Sequence, residues 1–398
     1  MNLFSNSLNN SKFLVAHIFF WVLSCCWLFL SPYGNIFKYF LFSLALLAIL
    51  YSFLRKKTFP PRDEVFELLR PWLPWFLSLI LISIVHGAGG LSLYLNGALI
   101  LILSFLALKP LNISRNLILS IVGFNLLIIS VVVILRVTIF GRLSSEIFDI
   151  NKNILVCGLT LMQSISLASL IFDKDNLPQK LYVLLASAFF CSIAVTVLTE
   201  VRTAILPLLA TIPIIFLFKK NNRLFFLLLS VGLLTAVIVL FLITGRLQEG
   251  IEDLTKYQIG NHNTSWGIRL ELWKLSLIAF MEQPLLGWGA KPFDLIISSG
   301  LKFSVPTFPA QHFHSDYFNA LVSFGLVGIV GWLSSVILLF KAVKSDYPRI
   351  MLLVSMLVMG ASERMWFDNR SCFYLFISLW LLLYISKKSN KADKNVTT

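Results

Sequence analysis

Apolar residues in this chain come in long unbroken blocks, without the regular polar interruptions of a helix that buries one face and wets the other. The blocks fall at 14–31, 36–54, 72–86, 91–108, 116–135, 154–172, 181–199, 204–218, 224–244, 317–340, 350–362 and 371–386. A spanning helix takes about 20 apolar residues. Lipid offers backbone amides no partner, so each block is predicted to be a helix that satisfies its own hydrogen bonds. The pattern predicts an all-α, polytopic membrane protein with about 12 transmembrane helices, the shorter blocks setting a range of ten to twelve. Spans one to nine occupy 1–244, one long loop fills 245–316, spans ten to twelve occupy 317–388, and 389–398 is a tail.

Composition agrees with the pattern. The chain is 58% hydrophobic and 13% charged, against roughly 45–50% and 25% in soluble domains. No block of sequence is left for a large soluble domain. The formal charge of +14 does not gather into a stripe or arm, which argues against nucleic acid as a partner. It lies instead in short loops, where it reads as a topology signal. With the N-terminus inside, 20 of the 33 Lys and Arg fall in inside segments. Only 7 fall outside once the long loop, with its 6, is set aside. Both termini are therefore expected to be cytoplasmic, with 87–90, 136–153, 200–203, 245–316 and 363–370 outside. Cys25, Cys26, Cys157 and Cys191 lie within apolar blocks and Cys372 opens one, a placement that suits packing and builds no metal pattern. The first block has no small-residue cleavage site and is expected to be retained as a helix.

The loop 245–316 is too long for a simple connection, and loops of that length are usually functional or disordered. Its three tryptophans, Trp266, Trp273 and Trp288, argue for order. Leu270, Trp273, Leu277 and Phe280 recur at helical spacing, predicting an amphipathic helix over 268–281 lying in the membrane interface. Pro284 is expected to stop it, and Gly287 and Gly289 to turn the chain.

Three outside positions carry candidate chemistry. Arg202 sits between two apolar blocks with almost no loop, where it is either a snorkelling cation or a functional charge. Arg269 opens the amphipathic helix and, taken alone, is an ordinary interfacial cation. His312-Phe313-His314-Ser315-Asp316 precedes the tenth span, and no acidic or cysteine cluster completes a zinc pattern around it. A histidine there suits a general base. Arg136 and Arg142 lie in the outside loop 136–153. Glu363, Arg364, Asp368 and Arg370 are expected to pair structurally near the site. There is no Walker A loop and no Gly-x-Ser-x-Gly elbow, so neither ATP-driven chemistry nor a bound cofactor is expected.

These residues in this order resemble the bacterial O-antigen ligase and O-antigen polymerase family. The resemblance rests on Val201-Arg202-Thr203-Ala204, Arg269-x-x-x-Trp273, Gln283-Pro284-Leu285-Leu286-Gly287-Trp288-Gly289, and His314-Ser315-x-Tyr317-Phe318 eleven residues before Gly325. It is most specific over about 200–332. Ser315 stands where the family more often has asparagine. The resemblance implies a GT-C-like membrane glycosyltransferase with His314, Arg269 and Arg202 as catalytic residues, with His312 and Trp273 as candidates for contacting substrate and Arg136 and Arg142 for holding lipid or acceptor phosphates. It implies a glycan on undecaprenyl pyrophosphate as donor and lipid A-core as acceptor, in the inner membrane of a Gram-negative bacterium with a periplasmic active site. Inverting transfer without metal or ATP is the expected chemistry, and O-antigen ligase the leading function. O-antigen polymerase is the alternative, since only the acceptor differs. A flippase is the lesser one, because ionisable residues inside the spans are few.

Overall fold

The computed structural model describes residues 61–87, 113–140, 146–147, 150–173, 176–199, 201–218, 245–289, 292–300, 312–344, 346–363, 365–366 and 372–396, with isolated positions in 99–109 and 231–235. The predicted spans 14–31 and 36–54 lie outside the described residues, and most of 91–108 and 224–244 does too. What is described is helical apart from one antiparallel pair of two-residue strands, β1 (Glu146–Ile147) and β2 (Ile150–Asn151). Among the described residues, five helices are long and apolar enough to cross a membrane: Arg62–His86, Arg115–Ile139, Leu155–Phe172, Gln179–Thr199 and Asp316–Ala342. Two shorter apolar helices, Tyr347–Gly360 and Leu375–Lys387, accompany them.

The helices are α1 (Arg62–Leu69), α2 (Leu73–His86), α3 (Arg115–Phe140), α4 (Lys152–Phe172), α5 (Gln179–Thr199) and α6 (Arg202–Phe218). The long loop contributes α7 (Arg246–Gln258), α8 (Ser265–Glu282) and α9 (Pro292–Ser298), before α10 (Asp316–Ala342), α11 (Tyr347–Gly360) and α12 (Cys372–Val396). Pro71 and Pro74 explain why α1 and α2 are joined by a 3-10 turn rather than forming one rod. In the bundle α3 packs on α5, α4 on α5 and α11, and α2 on α10. Large side chains left uncovered form stripes at helical spacing, Phe124, Ile128, Val131 and Leu135 on α3 and Leu326, Val330, Leu333 and Ile337 on α10. Water would penalise such faces and acyl chains accept them, which is the mark of a helical membrane protein.

The two ends of the bundle differ. At one end Arg115, at the start of α3, pairs with Asp173 at 2.7 Å and approaches Asp346 at 3.6 Å. Arg349 closes the same group, 2.8 Å from the fully buried Asp346 side chain and over the rings of Trp380 and Tyr384. Loops expected on one side of the membrane thus meet at one end. The end of α3 beyond Arg136, the start of α4, the start of α6, the long loop and the segment after α11 lie at the other.

The long loop is ordered around two elements. Tyr257 and Lys274 both hydrogen-bond to Glu271, at 2.6 and 3.0 Å, tying α7 to α8. Hydrogen bonding with Tyr257, and then Glu271, holds the Lys274 ammonium above its ordinary pKa. Helix α8 starts where Thr264 accepts the Gly267 amide and ends before Pro284, close to the predicted 268–281. Its buried face differs from the predicted stripe: Leu272, Leu275 and Ala279 pack inward with Phe313 and Val322, while Leu277 is exposed. The helix carries apolar residues on all sides, so spacing alone did not select the face, and docking on α10 did.

The segment Pro284–Gly289 is more than a turn. The α10 backbone breaks at Gly325 (φ 60°, ψ −160°). The freed groups are taken up by the loop: Leu326 and Val327 N–H donate to the Pro284 and Leu285 carbonyls at 2.8 and 3.1 Å. Trp288 and Gly289 N–H donate to the Val322 and Ser323 carbonyls at 2.8 and 2.9 Å. A broken helix at the membrane edge is tolerated when protein re-satisfies its backbone, and this loop does so. The first third of α10, which begins just after His314, is thereby locked to the loop that follows α8.

Candidate functional site

The segment 312–316 is held by hydrogen bonds to side chains and backbone on several sides. His314 has φ +50°, the only positive φ outside glycine among the described residues. A histidine tolerates this conformation at a cost that its surroundings must offset. Phe313 is fully buried, donates its amide to Asn319 Oδ1 at 3.2 Å, and accepts the Trp273 indole N–H at 3.1 Å. The Trp273 ring stacks on Phe318, with centroids 5.3 Å apart. Trp273, expected to touch substrate, thus uses its polar atom to pin the histidine turn to α8. His312 receives the His314 amide on Nδ1 at 3.2 Å, its ring edge-on to that of His314.

The following residues bind a second segment. Ser315 Oγ donates to the Gly360 carbonyl at 3.3 Å. The fully buried Asp316 accepts the amides of Met365 and Trp366 at 2.9 and 2.8 Å. These bonds bring the segment after α11 against the histidine turn and place Glu363 beside it.

Glu363 is where the candidate residues meet. Arg269 Nη2 donates to its Oε1 at 3.3 Å, and Asn153 Nδ2, from the first turn of α4, donates to the same oxygen at 3.3 Å. Its other oxygen, Oε2, lies 3.9 Å from His314 Nδ1. The three charged or titratable side chains are 14–24% exposed, so the cluster is sheltered yet open to a ligand. Arg269 also donates to Ser265 Oγ at 3.0 Å, leaving donors of its guanidinium to spare.

Four of the seven residues expected at the site, His314, Arg269, His312 and Trp273, are therefore in one cluster. Arg202 begins α6, and the adjacent Thr203 touches Cys157, one turn along α4 from Asn153. That places the α6 N-terminus at the site end, while the Arg202 side chain lies outside what the structure describes. Arg136 is a little over a turn from the end of α3 at this same end. Arg142, Arg364, Asp368 and Arg370 lie outside the described residues. Asn153 was not foreseen; one amide at the mouth of an apolar block carries no sequence signal of its own. A separate cleft of about 370 Å³, lined by His86, Gln283, Trp288, Leu295, Ser298 and Ser299, shares none of these side chains.

Fold and site together define a polytopic helical membrane protein with a histidine–arginine–glutamate cluster at one end of its bundle. Residues 187–333 match the O-antigen ligase family, which is the family the sequence resembles. That segment carries Arg202, Arg269, His312 and His314 and ends before Glu363. An uncharacterised protein of Haemophilus influenzae is 32% identical over 127 residues, 29% of this chain and 32% of that protein. An O-antigen ligase of Escherichia coli is 23% identical over 246 residues, 58% of this chain and 57% of that protein. The chain thus spans about a third of one curated relative and somewhat over half of the other.

Proposed function

We propose that this protein is an O-antigen ligase, transferring a glycan from undecaprenyl pyrophosphate to a sugar of lipid A-core at the periplasmic face of the inner membrane. The observation that carries this reading is the convergence of His314 and Arg269 on one sheltered cluster at the end where α6 begins with Arg202. The acceptor hydroxyl oxygen attacks the anomeric carbon, its proton passes to His314, and the bond to the lipid pyrophosphate breaks with its electrons. Arg269 and Arg202 stabilise the pyrophosphate that leaves, since guanidinium groups match its oxygens and keep their charge. One displacement inverts the anomeric centre. The polyprenyl tail remains in lipid beside the uncovered helix faces. The loop α7–α9 roofs the site, and Arg136, Arg142 and His312 provide further contacts for anionic or sugar groups.

The test is reconstitution of the purified chain with carrier-linked glycan and lipid A-core, with EDTA present and ATP absent. Glycan on lipid A-core is the expected product, and His314→Ala should cut its rate by about 10²- to 10⁴-fold. Longer carrier-linked glycan with bare lipid A-core would make the protein a polymerase. Unchanged product from His314→Ala would remove the histidine from the chemistry.

A further inference from the structure

Glu363 sits against both residues to which the proposed transfer reaction assigns chemistry, and it comes from outside the segment that matches the family. We propose that Glu363 is the positioning residue of this site: Oε1 holds Arg269 and Asn153, and Oε2 takes the Nδ1–H of His314, so that Nε2 is the basic nitrogen offered to the acceptor. The proposal rests on the transfer reading for its kinetics but not for its geometry.

Four observations carry it. His314 Nδ1 is buried and has no hydrogen-bond partner among the described residues, while Glu363 Oε2 lies 3.9 Å away. A neutral imidazole has one N–H and one lone pair, and a buried nitrogen beside a carboxylate is the one that keeps the proton. Second, the carboxylate is already oriented, because Arg269 and Asn153 both donate to its other oxygen. Third, the two backbones are stapled together by Ser315 on Gly360 and by Asp316 on Met365 and Trp366. Only a side-chain rotation of about 1 Å is needed to close the gap, and such contacts commonly tighten when substrate binds. Fourth, His314 holds a strained left-handed backbone conformation, which persists only where the surroundings fix it, and its ring stands 3.9 Å from Glu363 in that conformation. A salt bridge that served only Arg269 would not need the second oxygen turned to an imidazole.

Two measurements on the full chain test this. Nitrogen NMR of the ¹⁵N-histidine-labelled protein in bilayers, with His314→Ala used to assign the resonance, reports which ring nitrogen bears the proton. The proton is expected on Nδ1 in the parent and on Nε2 in a large fraction of Glu363→Gln. In the reconstituted assay Glu363→Gln should lower kcat by about 10²-fold or more and leave KM within about twofold, with Glu363→Asp recovering part of the loss. Glu363→Asp also serves if the glutamine variant does not fold, with an intermediate kcat expected. An unchanged tautomer, or a raised KM with kcat intact, overturns the proposal. A tautomer that depends on Glu363 in a chain that forms no glycan product would overturn the transfer reading and leave the positioning role standing.

Discussion

At the scale of single residues, the groups nearest the site are held by backbone amides as much as by each other. Asp316 is fully buried at the start of a spanning helix, and two amides from the segment after α11 donate to one of its oxygens. Hydrogen bonds to a charged acceptor are worth about twice those to a neutral one. Asp316→Asn keeps the volume and halves that strength, so we expect a loss of about 2 kcal/mol, read by denaturant unfolding in micelles. The same change should slow the proposed transfer, because those amides hold the segment that bears Glu363. Of the cluster expected within 363–370 only Glu363 is among the described residues, and its partners are Arg269 from α8 and Asn153 from α4.

At the scale of elements, the interlock between Pro284–Gly289 and the break in α10 fixes where the site stands. A Cβ on Gly287 (φ +66°) would lie 2.5 Å from the Val322 carbonyl oxygen, and one on Gly325 (φ +60°) 2.5 Å from that of Leu285. Neither backbone has room to move without losing the bonds that repair the helix. Gly300 is a natural control, with φ +83° and nothing among the described residues within 4 Å of an added Cβ. Gly300→Ala should therefore cost only the left-handed conformation, about 1–2 kcal/mol. Gly287→Ala adds a clash with backbone and should cost at least about 3 kcal/mol. Thermal unfolding of the two variants side by side separates the terms, and equal losses would contradict the interlock.

At the scale of the whole molecule, the bundle has a site end and an opposite end closed by Arg115, Asp173, Asp346 and Arg349. These four side chains come from the start of α3, the segment after α4 and the segment before and within the first turn of α11, so one end of the bundle is tied by ion pairs. The proposed orientation puts the site end in the periplasm. Asn261 and Lys344 are exposed at opposite ends, so each suits a cysteine probe. With the parent chain as background, Asn261→Cys should react with an impermeant maleimide on intact inner-membrane spheroplasts. Lys344→Cys should react only after permeabilisation, and the reverse pattern would invert the topology.

Element positions were legible from sequence because lipid sets both the length and the apolarity of a span. The predicted 181–199, 204–218 and 317–340 appear as Gln179–Thr199, Arg202–Phe218 and Asp316–Ala342. Candidate chemistry was legible as charge and histidine where apolar blocks end, and as resemblance over 200–332. The face that α8 buries, the repair of α10 by the Pro284–Gly289 loop, and the meeting of Asn153, Arg269, His314 and Glu363 were not. Each depends on contacts between residues far apart in the chain, and the period of a single helix carries no information about its neighbour. Sequence determined a helical membrane bundle with arginine and histidine where its apolar blocks end; only the tertiary structure decided that one carboxylate stands between the arginine and the histidine.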